Sequence, residues 1–177
     1  MVSQQGVQFV PIDRYAVHLP IDDVPEMRLR YLPRIGGIVA RPPAGQLWAD
    51  ERVSGGAELA MKLGEYWEEF FLVDILPSAR PEIRGEHRFF VYDLISRGGT
   101  RIVWGPPPSA NLPGEDDFEM KLNRLRQCVA NHGPLDSARG PAVVDVRHKL
   151  AITPRTVKKP QAARQAAKEE DNDAVVK

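Results

Sequence analysis

The chain has a single cysteine, no net charge and no long apolar run, and each shortage closes off a class of function. The cysteine is Cys128, and one thiol can build neither an internal disulfide nor a Cys-based metal cluster. Cys128 sits on the apolar side of a predicted helix, which marks it as core filler rather than nucleophile. Twenty-four basic residues cancel twenty-four acidic ones, so net charge gives no pull toward nucleic acid or an anionic membrane. No stretch approaches the roughly 18 consecutive apolar residues of a bilayer-spanning helix. The opening Met1-Val2-Ser3-Gln4-Gln5 lacks the basic and apolar regions of a signal peptide. As written, the chain is expected either to be cytosolic or to be a fragment whose anchor lies upstream. His18, His87, His132 and His148 stand apart in sequence, with no His-x-x-x-His or Glu-x-x-His spacing to suggest a metal site.

What is present suits one domain with a tail. The 177 residues are 42% hydrophobic, enough for a real core. The sixteen prolines exceed the average of roughly one residue in twenty. They cluster at 20–43, 77–81, 106–113 and 154–160, as expected of loops between short elements. Residues 7–19 read as extended, with a possible hairpin turn at Asp13-Arg14. Residues 20–50 read as irregular, with Trp48 plugging against the domain. A first helix is expected near 51–68, capped by Asp50, with Val53, Ala57, Ala60 (or Leu59), Leu63 and Trp67 on one face. Gly55-Gly56 weaken it, so its start is expected nearer Gly56. A strand follows at 71–75. The clearest hairpin pairs 88–95 with 100–104 across Ser96-Arg97-Gly98-Gly99, where the double glycine supplies positive φ. Apolar residues on both faces of 88–95 predict a central strand covered on both sides. The second helix, near 115–131, carries the stripe Phe118, Leu122, Leu125, Val129 and ends at Gly133-Pro134. Strands at 142–147 and 149–153 close the domain, which spans 1–154. Residues 155–168 then hold five basic residues and no acid, and 169–173 hold four acids. Lacking aromatics, the segment 155–177 is expected to be a disordered charged tail.

The order of elements, with Gly98-Gly99-Thr100-Arg101-Ile102-Val103-Trp104-Gly105, Glu119-Met120-Lys121-Leu122-Asn123-Arg124-Leu125 and Val144-Asp145-Val146-Arg147, resembles the C-terminal β domain of the FtsQ/DivIB bacterial cell-division proteins. Val10-Pro11-Ile12-Asp13-Arg14 and Leu32-Pro33-Arg34-Ile35-Gly36-Gly37 resemble that family's opening segments, so the likeness covers roughly 7–153. It implies an α+β fold, a mixed or antiparallel sheet with two helices, and a scaffold of the divisome rather than an enzyme. It also implies FtsB/FtsL-like partners and no cofactor. Family members carry a transmembrane helix and a POTRA domain ahead of this region, and neither is present here. With such an anchor the domain is expected on the periplasmic side of the inner membrane. If Met1 is the true start, it is expected in the cytoplasm.

In such domains the partner adds a strand to the last, exposed edge, satisfying its unpaired N–H and C=O groups. The candidate edge here is 149–153. Arg147, Lys149 and Arg155 are expected to meet acidic partner residues, and Leu150 and Ile152 to supply apolar contact, with Ile152 facing the partner rather than the core. The bland alternative is a row of edge charges that blocks aggregation. A rival from another class is a small hydrolase or ligand-binding protein using His132, Asp145 and Arg147. Asp145 and Arg147 lie two apart on a strand and share a face, where structural pairing is the simpler role. Gly98-Gly99-Thr100 leads into a strand, not a helix N-terminus, so it reads as a turn rather than a phosphate loop. Trp48, Trp67 and Trp104 do not lie together on a basic strand, so core packing is expected rather than stacking on nucleic acid bases.

Overall fold

The computed structural model describes residues 9–156. The expected tail lies, from residue 157 on, outside the described residues. The architecture is α+β. A mixed six-stranded sheet runs in the order β1 (Arg34–Ile35), β2 (Leu72–Pro77), β5 (Tyr92–Ser96), β6 (Arg101–Gly105), β7 (Val143–Asp145), β8 (Ala151–Thr153). A separate two-stranded ribbon joins β3 (Glu82–Arg84) to β4 (His87–Phe89). The helices are α1 (Glu26–Leu29), α2 (Glu51–Lys62) and α3 (Phe118–His132). β1 runs parallel to β2 and β6 parallel to β7, while the other pairs are antiparallel. Each parallel pair is joined by a crossover that contains a helix, α2 in one and α3 in the other, as parallel neighbours require.

Both long helices pack on the same side of the sheet. Pairing places Ile35, Ile75, Leu94, Ile102, Val144 and Ile152 side by side, one residue from each strand. This apolar row, with Tyr92 and Trp104, meets Leu59 and Leu63 of α2 and Leu122, Leu125 and Cys128 of α3 in one core cluster. The opposite face carries Arg34, Asp74, Asp93 and Arg101. Ion pairs join Arg34 to Asp74 and Arg101 to Asp93, each at 2.7 Å. That face is therefore open to water, as an antiparallel centre permits. The expectation that β5 is covered on both sides does not hold: Tyr92, Leu94 and Ser96 are buried, Asp93 and Ile95 only half-buried.

The two long helices, α2 and α3, start where a carboxylate satisfies free N–H groups of the first turn. The Asp50 side chain accepts from the Arg52 N–H at 2.9 Å, and Asp117 from the Met120 N–H at 2.8 Å. α2 begins at Glu51 and not near Gly56. Its two glycines are there for closeness rather than flexibility. A Cβ on Gly55 would stand 2.3 Å from the Tyr92 hydroxyl, and one on Gly56 would stand 2.9 Å from the Ile35 side chain. α2 stops at Lys62, and a 3₁₀ turn over Gly64–Tyr66 replaces the last stretch expected of it.

The expected strand 88–95 is broken at Phe90-Val91. His87–Phe89 turns away to pair with Glu82–Arg84, and only Tyr92–Ser96 pairs with β6. An unbroken apolar run looks the same whether one strand is doubly covered or the chain bends and buries Phe89 and Phe90 by leaving the sheet. In the β5–β6 turn only Gly99 has positive φ (77°). Gly98 is required for space, because a Cβ there would lie 2.5 Å from the backbone of Leu135 and Asp136. Residues 9–19 contribute isolated bridges, Ile12 to His18 and Val17 to Leu47, instead of a hairpin. Trp67 and Trp104 are core residues, whereas Trp48 is half-buried outside the core cluster.

Candidate partner-binding edge

β8 is the last strand of the sheet and pairs with β7 alone: Val143 with Thr153, Val144 with Ile152, Asp145 with Ala151. Among the described residues nothing pairs with its far side. The ribbon is anchored at three points. At its bend, the Arg124 guanidinium of α3 donates to the Val146 carbonyl at 2.8 Å and the Arg147 carbonyl at 3.1 Å, and pairs with Asp116. At its far end, Arg155 donates to the Gly98 carbonyl at 2.9 Å and the Pro141 carbonyl at 3.3 Å. Beneath the entry to β7, the buried Thr100 hydroxyl donates to the Pro141 carbonyl at 2.8 Å, and the Ser96 hydroxyl to the Leu135 carbonyl at 2.7 Å.

The segments 98–105, 119–125 and 144–147 meet beside this ribbon. Gly105 ends β6 with φ 95°. A Cβ there would stand 3.2 Å from both the Arg147 side chain and the Glu115 carboxylate. Glu115 pairs at 2.7 Å with Lys121, and their side chains are only 9% and 4% exposed. The Lys121 ammonium lies 5.7 Å from the Trp104 ring centroid. Arg147 binds Asp145 through two nitrogens, the shorter contact 2.6 Å, and its backbone N–H also donates to that carboxylate. These hydrogen bonds from Arg147 hold the Asp145 carboxyl below the ordinary carboxylate range, against an opposing push from partial burial, and raise Arg147 in return. The pair is thus an ionised brace across the end of β7.

Placement divides the five expected binding residues. Lys149 is exposed at the ribbon's bend. Arg147 and Arg155 are already engaged inside the chain, so neither guanidinium is held out for an acidic partner. Leu150 and Ile152 are half-buried and pack against the core cluster. Ile152 faces the helices rather than outward, because its pairing with Val144 fixes the alternation of β8. Of the rival trio, Asp145 lies on the open face, while His132 is an exposed residue at the end of α3, on the other side of the sheet. No hydrogen bond joins His132 to Asp145 or Arg147. Among the described residues no group of His, Cys, Asp and Glu stands close enough to hold a metal ion, and no helix is long and apolar enough to cross a membrane.

Sequence reasoning missed Arg124, Asp116, Glu115 and Lys121 as parts of this assembly. One signal was present: Lys121 falls three residues after Phe118, inside the apolar stripe, where a charge needs a buried partner. No protein family, no curated protein and no solved structure matches the chain.

Proposed function

We propose that this domain is a non-enzymatic scaffold of bacterial cell division, of FtsQ/DivIB type. It takes up FtsB/FtsL-like partners by strand addition along β8. The observation that carries the reading is the position of β8: among the described residues it is the last strand, short, terminal in the sheet and paired on one side only. A strand left in that state offers backbone donors and acceptors that another chain can satisfy. Arg124 and Arg155 also tie the ribbon to the rest of the chain, which lowers the ordering cost of binding. Exposed Lys149 beside it gives an acidic partner residue a cation to meet. In this proposal the domain sits on the periplasmic side of the inner membrane, carried by an upstream anchor. No observation favours the hydrolase reading.

The test is site-specific photo-crosslinking in the source bacterium. A photoreactive phenylalanine analogue at Lys149 or Ala151, both exposed, is expected to capture an FtsB- or FtsL-like protein. The same group at exposed Ile83, on the separate ribbon, is expected to capture none. Absence of such adducts from 149 and 151, or equal yields from all three positions, defeats the proposal.

A further inference from the structure

The opposite rim of the sheet holds a second opening. A cleft of about 570 Å³ separates residues 9–14 from β1 and the turn that follows it, Gly36-Gly37-Ile38. Val53, Ala57, Ala60 and Met61 of α2 line it, as does Trp48. Arg14 lines it, as does Arg34, whose guanidinium is already paired with Asp74.

The backbone phase of β1 decides what this cleft is shaped to take. The Gly36 N–H donates to the Ile75 carbonyl at 3.0 Å, and Ile35 is paired with Ile75 in parallel register. In a parallel ladder that arrangement spends the groups of Arg34 and Gly36 on β2. It turns the N–H and C=O of Ile35 the other way, toward the cleft. Among the described residues no backbone group pairs with them there. Backbone groups at an apolar wall are costly to leave unmatched, and a donor and acceptor from one residue match what a passing strand presents.

We propose that this cleft is a second peptide-binding site, in which an extended apolar segment of a partner protein adds to β1. The segment carries alternate apolar side chains directed at α2 and an acidic residue that meets Arg14. The acid is favoured there because Arg14 is exposed and Asp13, the one carboxylate in the lining, is turned back to accept from the Tyr15 and Val17 N–H groups at 2.8 and 2.9 Å. The site is independent of β8, since it lies across the whole width of the sheet from it.

The test uses the full chain and a display library of random peptides about eight residues long, a little more than a typical strand. Selection is run in parallel against Met61→Trp, which fills the cleft at an exposed position, with circular dichroism to check that this variant keeps its fold. The expected result is enrichment of alternating apolar peptides with an acid on the unmodified chain only. An enriched peptide should slow exchange of the Ile35 amide by about tenfold or more. A version N-methylated at the paired residue should lose both binding and protection. Three outcomes overturn the proposal: no enrichment over Met61→Trp, undiminished binding of the N-methylated peptide, which would make the cleft a site for apolar small molecules, or an Ile35 amide already protected in the free chain, which would mean that the chain fills its own cleft. Crosslinking at Lys149 and Ala151 reads the β8 edge separately, so either proposal can fail without the other.

Discussion

Gly55 shows how a single missing methyl group sets the thickness of the domain. Helix propensity favours alanine there by about 1 kcal/mol. However, the added Cβ would meet the Tyr92 hydroxyl at 2.3 Å, and that hydroxyl is fixed in the core by donating to the Glu51 and Arg52 carbonyls. Gly55→Ala is therefore expected to destabilise the protein by about 1–3 kcal/mol, the usual cost of overpacking a tight core, read as a lower urea midpoint. A neutral or stabilising result would mean that α2 can lift from the sheet at little cost. The sequence shows the glycine pair but not its reason, because a space requirement belongs to the residue across the gap. The same limit applies to Arg147 and Arg155. Both are legible as cations near the last strand, yet their engagement with Asp145 and Gly98 depends on contacts that composition does not encode.

Among the elements, α3 was the most legible and β1 the least. The stripe from Phe118 to Val129 and the Gly133 stop are local signals, and they locate the helix to within a turn. A strand of two residues such as β1 has no periodicity of its own and exists only because β2 lies beside it. The location of the terminal ribbon was legible from chain order, but the orientation of its side chains was not. Alternation along β8 is set by Val144 opposite Ile152, a long-range pairing. The coupling of α3 to this ribbon rests on Arg124, whose side chain is 15% exposed. Arg124→Met is expected to cost about 1–3 kcal/mol, as loss of charged hydrogen bonds does, and to speed amide exchange in β7 and β8 while leaving β2 unchanged. Uniform loosening of the whole sheet would instead make Arg124 a general core residue.

The molecule as a whole has acid-sensitive braces at two places. Asp145 is held low chiefly by hydrogen bonds from Arg147, and Asp50 by those from Arg52. A carboxyl depressed in the folded state binds fewer protons there than in the unfolded chain. Its stabilisation is complete above the ordinary carboxylate value and is lost as pH falls through the lower folded value. Stability is expected to hold from neutral pH down to about 4 and to decline below it. Asp145→Asn should flatten that decline, as measured by urea unfolding across the acid range. An unchanged slope would show that the Asp145 brace contributes little to the folded state. The inner face of the sheet has a further consequence. Its apolar row runs without interruption from Ile35 at one rim to Ile152 at the other, so any strand annexed at either margin inherits a two-sided environment, oily toward the helices and wet on the reverse. A visitor shifted by one residue would present its polarity inverted, and the domain thereby selects by parity as well as by composition.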